Sequence, residues 1–165
     1  MNTRTQIFLQ FPVVIALGIL LHFTYQWSNE NFLVGLFSAT NESVWEHLKL
    51  LFFPMFFLTL WDIFTRRNTD MYFLPARVIG IIAGLLFIIT AFYTFEGVIG
   101  KNINWLDVVI YIASVAFAFW VEHKVYKKHS LSNHKAALVV LLGLMALFII
   151  FTIAPPPIGL FDVKG

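Results

Sequence analysis

Five long apolar stretches constrain the fold of this chain more than any other feature of its sequence. Each contains about 20 mostly apolar residues, the length that an α-helix needs to cross the hydrocarbon core of a bilayer. Only 12% of the residues are charged, whereas soluble domains carry about 25%. The sequence therefore predicts an all-α, polytopic membrane protein that forms a single integral membrane domain over residues 1–165. Its five transmembrane helices are predicted at residues 7–25, 43–64, 73–95, 105–126 and 136–153.

Basic residues are distributed unevenly between the two sides of the predicted bundle. Since cytoplasmic loops are rich in Lys and Arg, the N-terminus is predicted to be cytoplasmic and the C-terminus extracytoplasmic. The connections are short, so neighbouring helices are predicted to be antiparallel. The basic residues assigned to the cytoplasmic side are Arg4, Arg66, Arg67, Arg77, Lys124, Lys127, Lys128 and Lys135, against Lys49, Lys101 and Lys164 on the other side.

Two absences from the sequence exclude whole classes of function. The chain has no cysteine, which excludes disulfides, thiol catalysis and thiolate metal sites. It also has no basic run long enough to indicate a nucleic-acid partner, and its formal net charge is only +2. The predicted partner is therefore the lipid bilayer and not a nucleic acid.

Small residues in the third apolar stretch indicate close helix packing. Gly80 and Gly84 are four residues apart, a spacing that lets another helix approach closely. Two interpretations follow. The glycines pack against another helix of the same chain, or they form the contact face of a homodimer.

The densest polar chemistry lies in residues 41–49, at the start of the second apolar stretch. At a rise of about 1.5 Å per residue, several polar side chains from different helices fall about 5–8 Å inside the same face of the bundle. Ionisable groups within membrane segments face the bundle interior and mark functional sites. The candidates for an extracytoplasm-facing, ligand-binding pocket are His22, Glu42, Glu46, His47, Tyr93 and Asp107.

A purely structural interpretation explains part of this set. Ser43 and Glu46 form an S-x-x-E capping box, in which the Glu46 carboxylate is predicted to reach back to the Ser43 backbone N–H. Glu46 and Lys49 are also spaced for an i,i+3 ion pair. A structural or accessory subunit without a ligand would need no more than this, but His22, His47 and Asp107 stay unexplained.

Two binding interpretations use the remaining residues. The leading hypothesis is a polar pocket for a small ligand, an ion or a proton. The alternative is a metal-dependent membrane hydrolase, because imidazole and carboxylate ligands suit Zn²⁺ with an open position for water. Its spacing matches no specific zinc motif. The possible metal ligands are His22, Glu42, Glu46, His47 and Asp107.

The sequence also allows predictions for the C-terminal ends of the fourth and fifth helices. Residues 122–129 close the fourth helix with one glutamate, three lysines and two histidines, and are predicted to be a solvated cytoplasmic cap. Residues 155–157 are three prolines, which end the fifth helix. Because the tail that follows stays apolar, it is predicted to fold back across the outer face of the bundle. A plain interfacial anchor is the alternative.

Three segments carry a resemblance to a known family. The NESVWEHLK motif of residues 41–49, the Phe92-Tyr93-Thr94 segment and the proline-rich tail of residues 155–161 are similar to a bacterial family of small multi-pass membrane proteins of unknown function. The resemblance extends over nearly the whole chain. It implies a location in the bacterial cytoplasmic membrane, and it implies no activity or ligand.

Overall fold

The fold is all-α. A computed structural model describes residues 3–65, 70–100 and 104–163, without the side chains of residues 3–8, 99 and 104. These described ranges form helices and no β-strand. The elements are α1 (Thr3–Trp27), α2 (Phe32–Gly35), α3 (Val44–Thr65), α4 (Phe73–Ile99), α5 (Asn104–Lys128), α6 (His134–Ile153) and a 3₁₀ turn (Gly159–Phe161).

Five of these helices, all except α2, are long and apolar enough to cross a membrane. They confirm the five predicted segments, and their ends differ from the prediction by at most four residues. Large apolar side chains such as Phe64, Trp120 and Val139 are exposed on the outside of the bundle. A helix that is apolar all round belongs in a membrane or a large core, so the structure is compatible with a multi-pass membrane protein.

Contacts between helix ends show how the long helices alternate in direction. Trp45, near the start of α3, packs against Phe151, near the end of α6, with ring centroids 5.4 Å apart. At the opposite end, the Tyr126 hydroxyl of α5 donates a hydrogen bond of 3.2 Å to Asp70, which precedes α4. We call the first of these ends the Glu42 end and the second the Arg77 end. Which end faces the cytoplasm stays a prediction.

Helix α3 lies at the centre of the bundle and contains Pro54, which removes one backbone hydrogen bond from the helix. Proline has no N–H, so the carbonyl of Leu50, four residues earlier, lacks its helical hydrogen bond. The Tyr111 hydroxyl of α5 lies 3.3 Å from this carbonyl and 2.9 Å from the carbonyl of Val14 in α1. One side chain therefore joins three helices at the backbone group that Pro54 exposes, and α3 remains helical through the proline.

The small residues of α4 pack against α5 of the same chain. A Cβ added at Gly80 would lie 2.7 Å from the carbonyl oxygen of Ala118, and one added at Gly84 would lie 2.9 Å from the Ala118 Cβ. The glycines therefore permit the close approach of α4 and α5, as the intramolecular interpretation predicts. A homodimer through the same face stays a prediction, and its partner helix would have to displace α5.

The prediction for the C-terminal tail is confirmed, whereas the prediction for the end of α5 is partly wrong. The apolar tail folds back as predicted, since Phe161 stacks on Trp45 with ring centroids 4.8 Å apart. The prediction of a solvated cap over residues 122–129 is wrong for Glu122, which is buried. Its Cα and Cβ lie against Gly80, so the close approach of α4 and α5 turns this carboxyl into the bundle.

Candidate functional site

The turn before α3 holds its hydrogen-bonding groups differently from the predicted capping box. The Ser43 hydroxyl accepts from the Glu46 N–H at 3.4 Å, which is the expected first half of the box. The second half of the predicted box, a hydrogen bond from the Ser43 N–H to the Glu46 carboxylate, is wrong. The Asn41 side chain already accepts from the Ser43 N–H at 2.9 Å, and the Glu46 carboxylate instead accepts from the Thr40 N–H at 2.7 Å.

Lys49 explains why Glu46 turns away from Ser43. The lysine side chain is 0% exposed, and its ammonium lies 2.6 Å from the Glu46 carboxylate, which confirms the predicted ion pair. The same ammonium donates to the Gly35 carbonyl at 2.9 Å and to the Thr152 hydroxyl at 3.1 Å. The pair therefore ties α2, α3 and α6 together, and Glu46 has a structural role at this position.

Three of the predicted site residues converge beside this pair. Glu42 lies in the turn before α3, His47 in the first turns of α3, and His22 near the end of α1. The His47 Nε2 is 3.5 Å from one Glu42 carboxylate oxygen, and the His22 Nε2 is 3.9 Å from the other. One ligand atom from each residue lies within 4.8 Å of the other two.

Ser38 positions α1 against the loop that carries Glu42. Its hydroxyl donates to the Leu21 carbonyl and accepts from the Thr24 hydroxyl at 3.0 Å and from the Tyr25 N–H at 3.1 Å. These bonds bracket His22 in the sequence and hold its helix turn against the loop. Sequence reasoning missed Ser38, although a small polar residue between an apolar run and the charged motif is the signal that marks it.

The orientation of His47 follows from a backbone contact. Its Nδ1 lies 2.9 Å from the Ser43 carbonyl oxygen. A carbonyl only accepts hydrogen bonds, so Nδ1 carries the proton, and in the neutral ring Nε2 presents its lone pair. That lone pair faces the Glu42 carboxylate. An imidazole that donates one N–H to a backbone carbonyl and presents its other nitrogen is the arrangement found in metal-ligating histidines.

His22 completes the cluster from α1 with fewer constraints. Its ring lies 5.6 Å from the His47 ring, measured between centroids, and packs edge-on against Phe23. Its Nδ1 is buried and has no hydrogen-bond partner. Solvent reaches the cluster through Glu42, whose side chain is 55% exposed.

The family comparison covers the same motif. The sequence model described as "Family of unknown function (DUF6512)" matches residues 1–164. The chain belongs to this family. The resemblance seen in the sequence is thereby confirmed in its coarser part, a family of unknown function that covers the whole chain. No curated protein and no solved structure matches the DUF6512 chain.

Two other predicted candidates, Tyr93 and Asp107, lie outside the three-residue cluster. Asp107 and His47 line a small apolar cleft between α3, α4 and α5, with Tyr111 in its wall. Tyr93 is exposed, and its ring packs edge-on against Phe92. Tyr93 and Asp107 therefore make contacts other than those of the three-residue cluster.

Proposed function

We propose that this membrane protein binds one divalent transition-metal ion, with Zn²⁺ as the best match, between His22, Glu42 and His47. The observation that carries the proposal is the contact of 3.5 Å between the His47 Nε2 and the Glu42 carboxylate. The Ser43 carbonyl accepts a hydrogen bond from His47 Nδ1, so in the neutral ring the Nε2 lone pair and the Glu42 carboxylate, two electron-pair donors, face and repel each other. A cation between them turns this repulsion into a bond.

The donor set suits zinc. Neutral imidazole nitrogens and a carboxylate oxygen are zinc ligands, and two ligands of a tetrahedral Zn²⁺ lie about 3.3 Å apart. The observed separations of 3.5 Å and 3.9 Å require small side-chain movements only. A hard cation such as Mg²⁺ prefers oxygen ligands in an octahedron, and two imidazoles disfavour it. Three protein ligands leave a fourth position for water.

The surroundings favour ion binding over the hydrolase alternative. The cleft beside His47 is apolar and has room for about one water molecule. This cleft is too small for an ester or amide substrate, and the open side of the cluster is at Glu42, whose side chain is 55% exposed. Binding of the ion itself needs only the three ligands, so we take it as the function that this site supports best.

The proposal includes an orientation for the site. Most Lys and Arg residues of the sequence belong to the Arg77 end and its connections, and the positive-inside rule assigns that end to the cytoplasm. The Glu42 end, with the metal site, then faces outward. The bacterial cytoplasmic membrane is the proposed location, in line with the family resemblance of the sequence.

Zinc titration of the purified protein tests the proposal. Calorimetry on tag-free protein in detergent is expected to show one Zn²⁺ bound per chain and no Mg²⁺ bound at the same site. His47→Ala is expected to weaken zinc binding by more than the roughly 10–100-fold that loss of an outer-shell partner costs. His134→Ala, at the start of α6 and outside the cluster, is the matched control and should bind zinc like the wild type.

Two outcomes would count against the site. Wild-type protein that binds no zinc would show that His47 and Glu42 form only a histidine–carboxylate ion pair, with the proton in place of the metal. Equal loss of zinc in His47→Ala and His134→Ala would show adventitious binding to histidines in general.

A further inference from the structure

A second buried polar cluster lies at the Arg77 end, and the proposed metal site does not use it. The Arg77 guanidinium is 1% exposed. Its Nη2 donates to the Gln10 side chain at 2.6 Å and lies 3.5 Å from the Asp62 carboxylate. Its Nε lies 3.0 Å from the Glu122 carboxylate. Four helices, α1, α3, α4 and α5, each contribute one of these side chains.

The two carboxyl groups of the cluster differ in their hydrogen bonds. Asp62 accepts a hydrogen bond of 2.7 Å from the Gln10 amide, in addition to its contact with Arg77. Glu122 is close to Arg77 Nε, but the N–H is not aligned with it, and Glu122 Oε2 has no hydrogen-bond partner. The Asp62 environment therefore suits an ionised carboxylate, whereas the Glu122 environment does not.

Glu122 is only 2% exposed, so bulk water does not compensate for this difference. The rings of Phe73 and Phe119 lie 5.1 Å and 5.5 Å from the Arg77 guanidinium carbon. Glu122 itself packs onto Gly80 at the α4–α5 contact. A buried carboxylate needs both an opposite charge and aligned hydrogen bonds to offset its desolvation, and the misaligned contact with Arg77 supplies only the first.

We propose that Glu122 is a proton-binding site, and that its carboxyl group is protonated in the folded protein at neutral pH. The proton is a ligand of this buried cluster and is independent of any metal at the Glu42 end. A protonated Glu122 keeps its contact with the Arg77 side chain while Asp62 and Gln10 engage the guanidinium through Nη2.

Infrared spectroscopy of the full chain in lipid nanodiscs tests this proposal. The wild type at neutral pH is expected to show the carbonyl band of a protonated carboxylic acid, shifted in D₂O. In Glu122→Gln, the intensity of this band should decrease by the contribution of one carboxyl group. It should also unfold at the wild-type temperature, because an amide has the shape and charge of the protonated acid. Asp70→Asn, which changes an exposed carboxylate at the same end, is the matched control and should keep the band.

Three results would overturn the proposal. Absence of the band from the wild type, or its undiminished persistence in Glu122→Gln, would show that Glu122 does not carry this proton. A Glu122→Gln protein that fails to fold would also contradict it, because a neutral isostere should be tolerated where the native group is neutral. None of these results bears on zinc binding, so this proposal and the metal site fail separately.

Discussion

Lys49→Met is expected to lower the free energy of unfolding by about 3–5 kcal/mol, the cost of removing one partner from a buried ion pair. The lysine side chain has no exposed surface, and the Glu46 carboxylate would lose the ammonium that lies 2.6 Å away. The links to Gly35 and Thr152 would be lost with it, so α6 should separate from α3 early in unfolding. Denaturant titration in mixed micelles measures the change.

Two further variants separate the charge effect from the loss of packing. Lys49→Met combined with Glu46→Gln should recover at least half of the lost stability, because replacing both partners removes the uncompensated carboxylate. Lys128→Met, which removes an exposed lysine at the other end of the bundle, should unfold within about 0.5 kcal/mol of the wild type. A Lys49→Met protein as stable as Lys128→Met would contradict the structural role of the pair.

Arg77→Met is the second substitution with a large expected effect. It removes the guanidinium that contacts side chains from three other helices, namely Gln10, Asp62 and Glu122. Loss of one partner from such a buried network is expected to cost about 3–5 kcal/mol. The same micelle titration measures it, and the cost should appear as easier separation of α4 from α1 and α3.

A charge-conserving variant sharpens this test. Arg77→Lys keeps the positive charge but cannot reach several partners at once, because an ammonium lacks the planar fork of donors. Its stability is expected to lie between those of Arg77→Met and the wild type. If Arg77→Lys were as unstable as Arg77→Met, the shape of the guanidinium would matter and not its charge. An Arg77→Met protein of wild-type stability would contradict the network altogether.

The fold was largely predictable because a membrane imposes a fixed length on apolar helices. The five segments need no information beyond hydropathy, and their observed ends differ by at most four residues. The folded-back tail was also predictable, since the residues after Pro157 remain apolar and Phe161 finds Trp45. What hydropathy does not contain is the rotation of each helix about its own axis, because these helices are apolar on every side.

That missing rotation explains the mixed outcome at the Glu42 end. Depth along the helices selected His22 and His47, and the structure brings both together with Glu42. The same depth argument selected Tyr93, which is exposed, and Asp107, which lines a neighbouring cleft. Capping chemistry identified Ser43 and Glu46. It did not predict that the Glu46 carboxylate, paired with Lys49, accepts from Thr40 instead of Ser43.

The cluster at the Arg77 end was missed in the sequence for a different reason. Arg77 and Glu122 lie near helix ends, where charged side chains usually extend to the membrane surface. Their burial depends on the close approach of α4 and α5 at Gly80 and Gly84, which is a property of the packed bundle. The glycine pair marks in the sequence where α4 can approach another helix closely, but it does not identify the residues that lie opposite.

X-ray absorption at the zinc edge of the zinc-loaded, tag-free protein tests the central claim most directly. The metal site predicts two imidazole nitrogens and one carboxylate oxygen at about 2.0–2.2 Å from the zinc. It also predicts the loss of one imidazole from this shell in His22→Ala. A shell of oxygen atoms alone, or an unchanged imidazole count in His22→Ala, would contradict a zinc site between His22, Glu42 and His47.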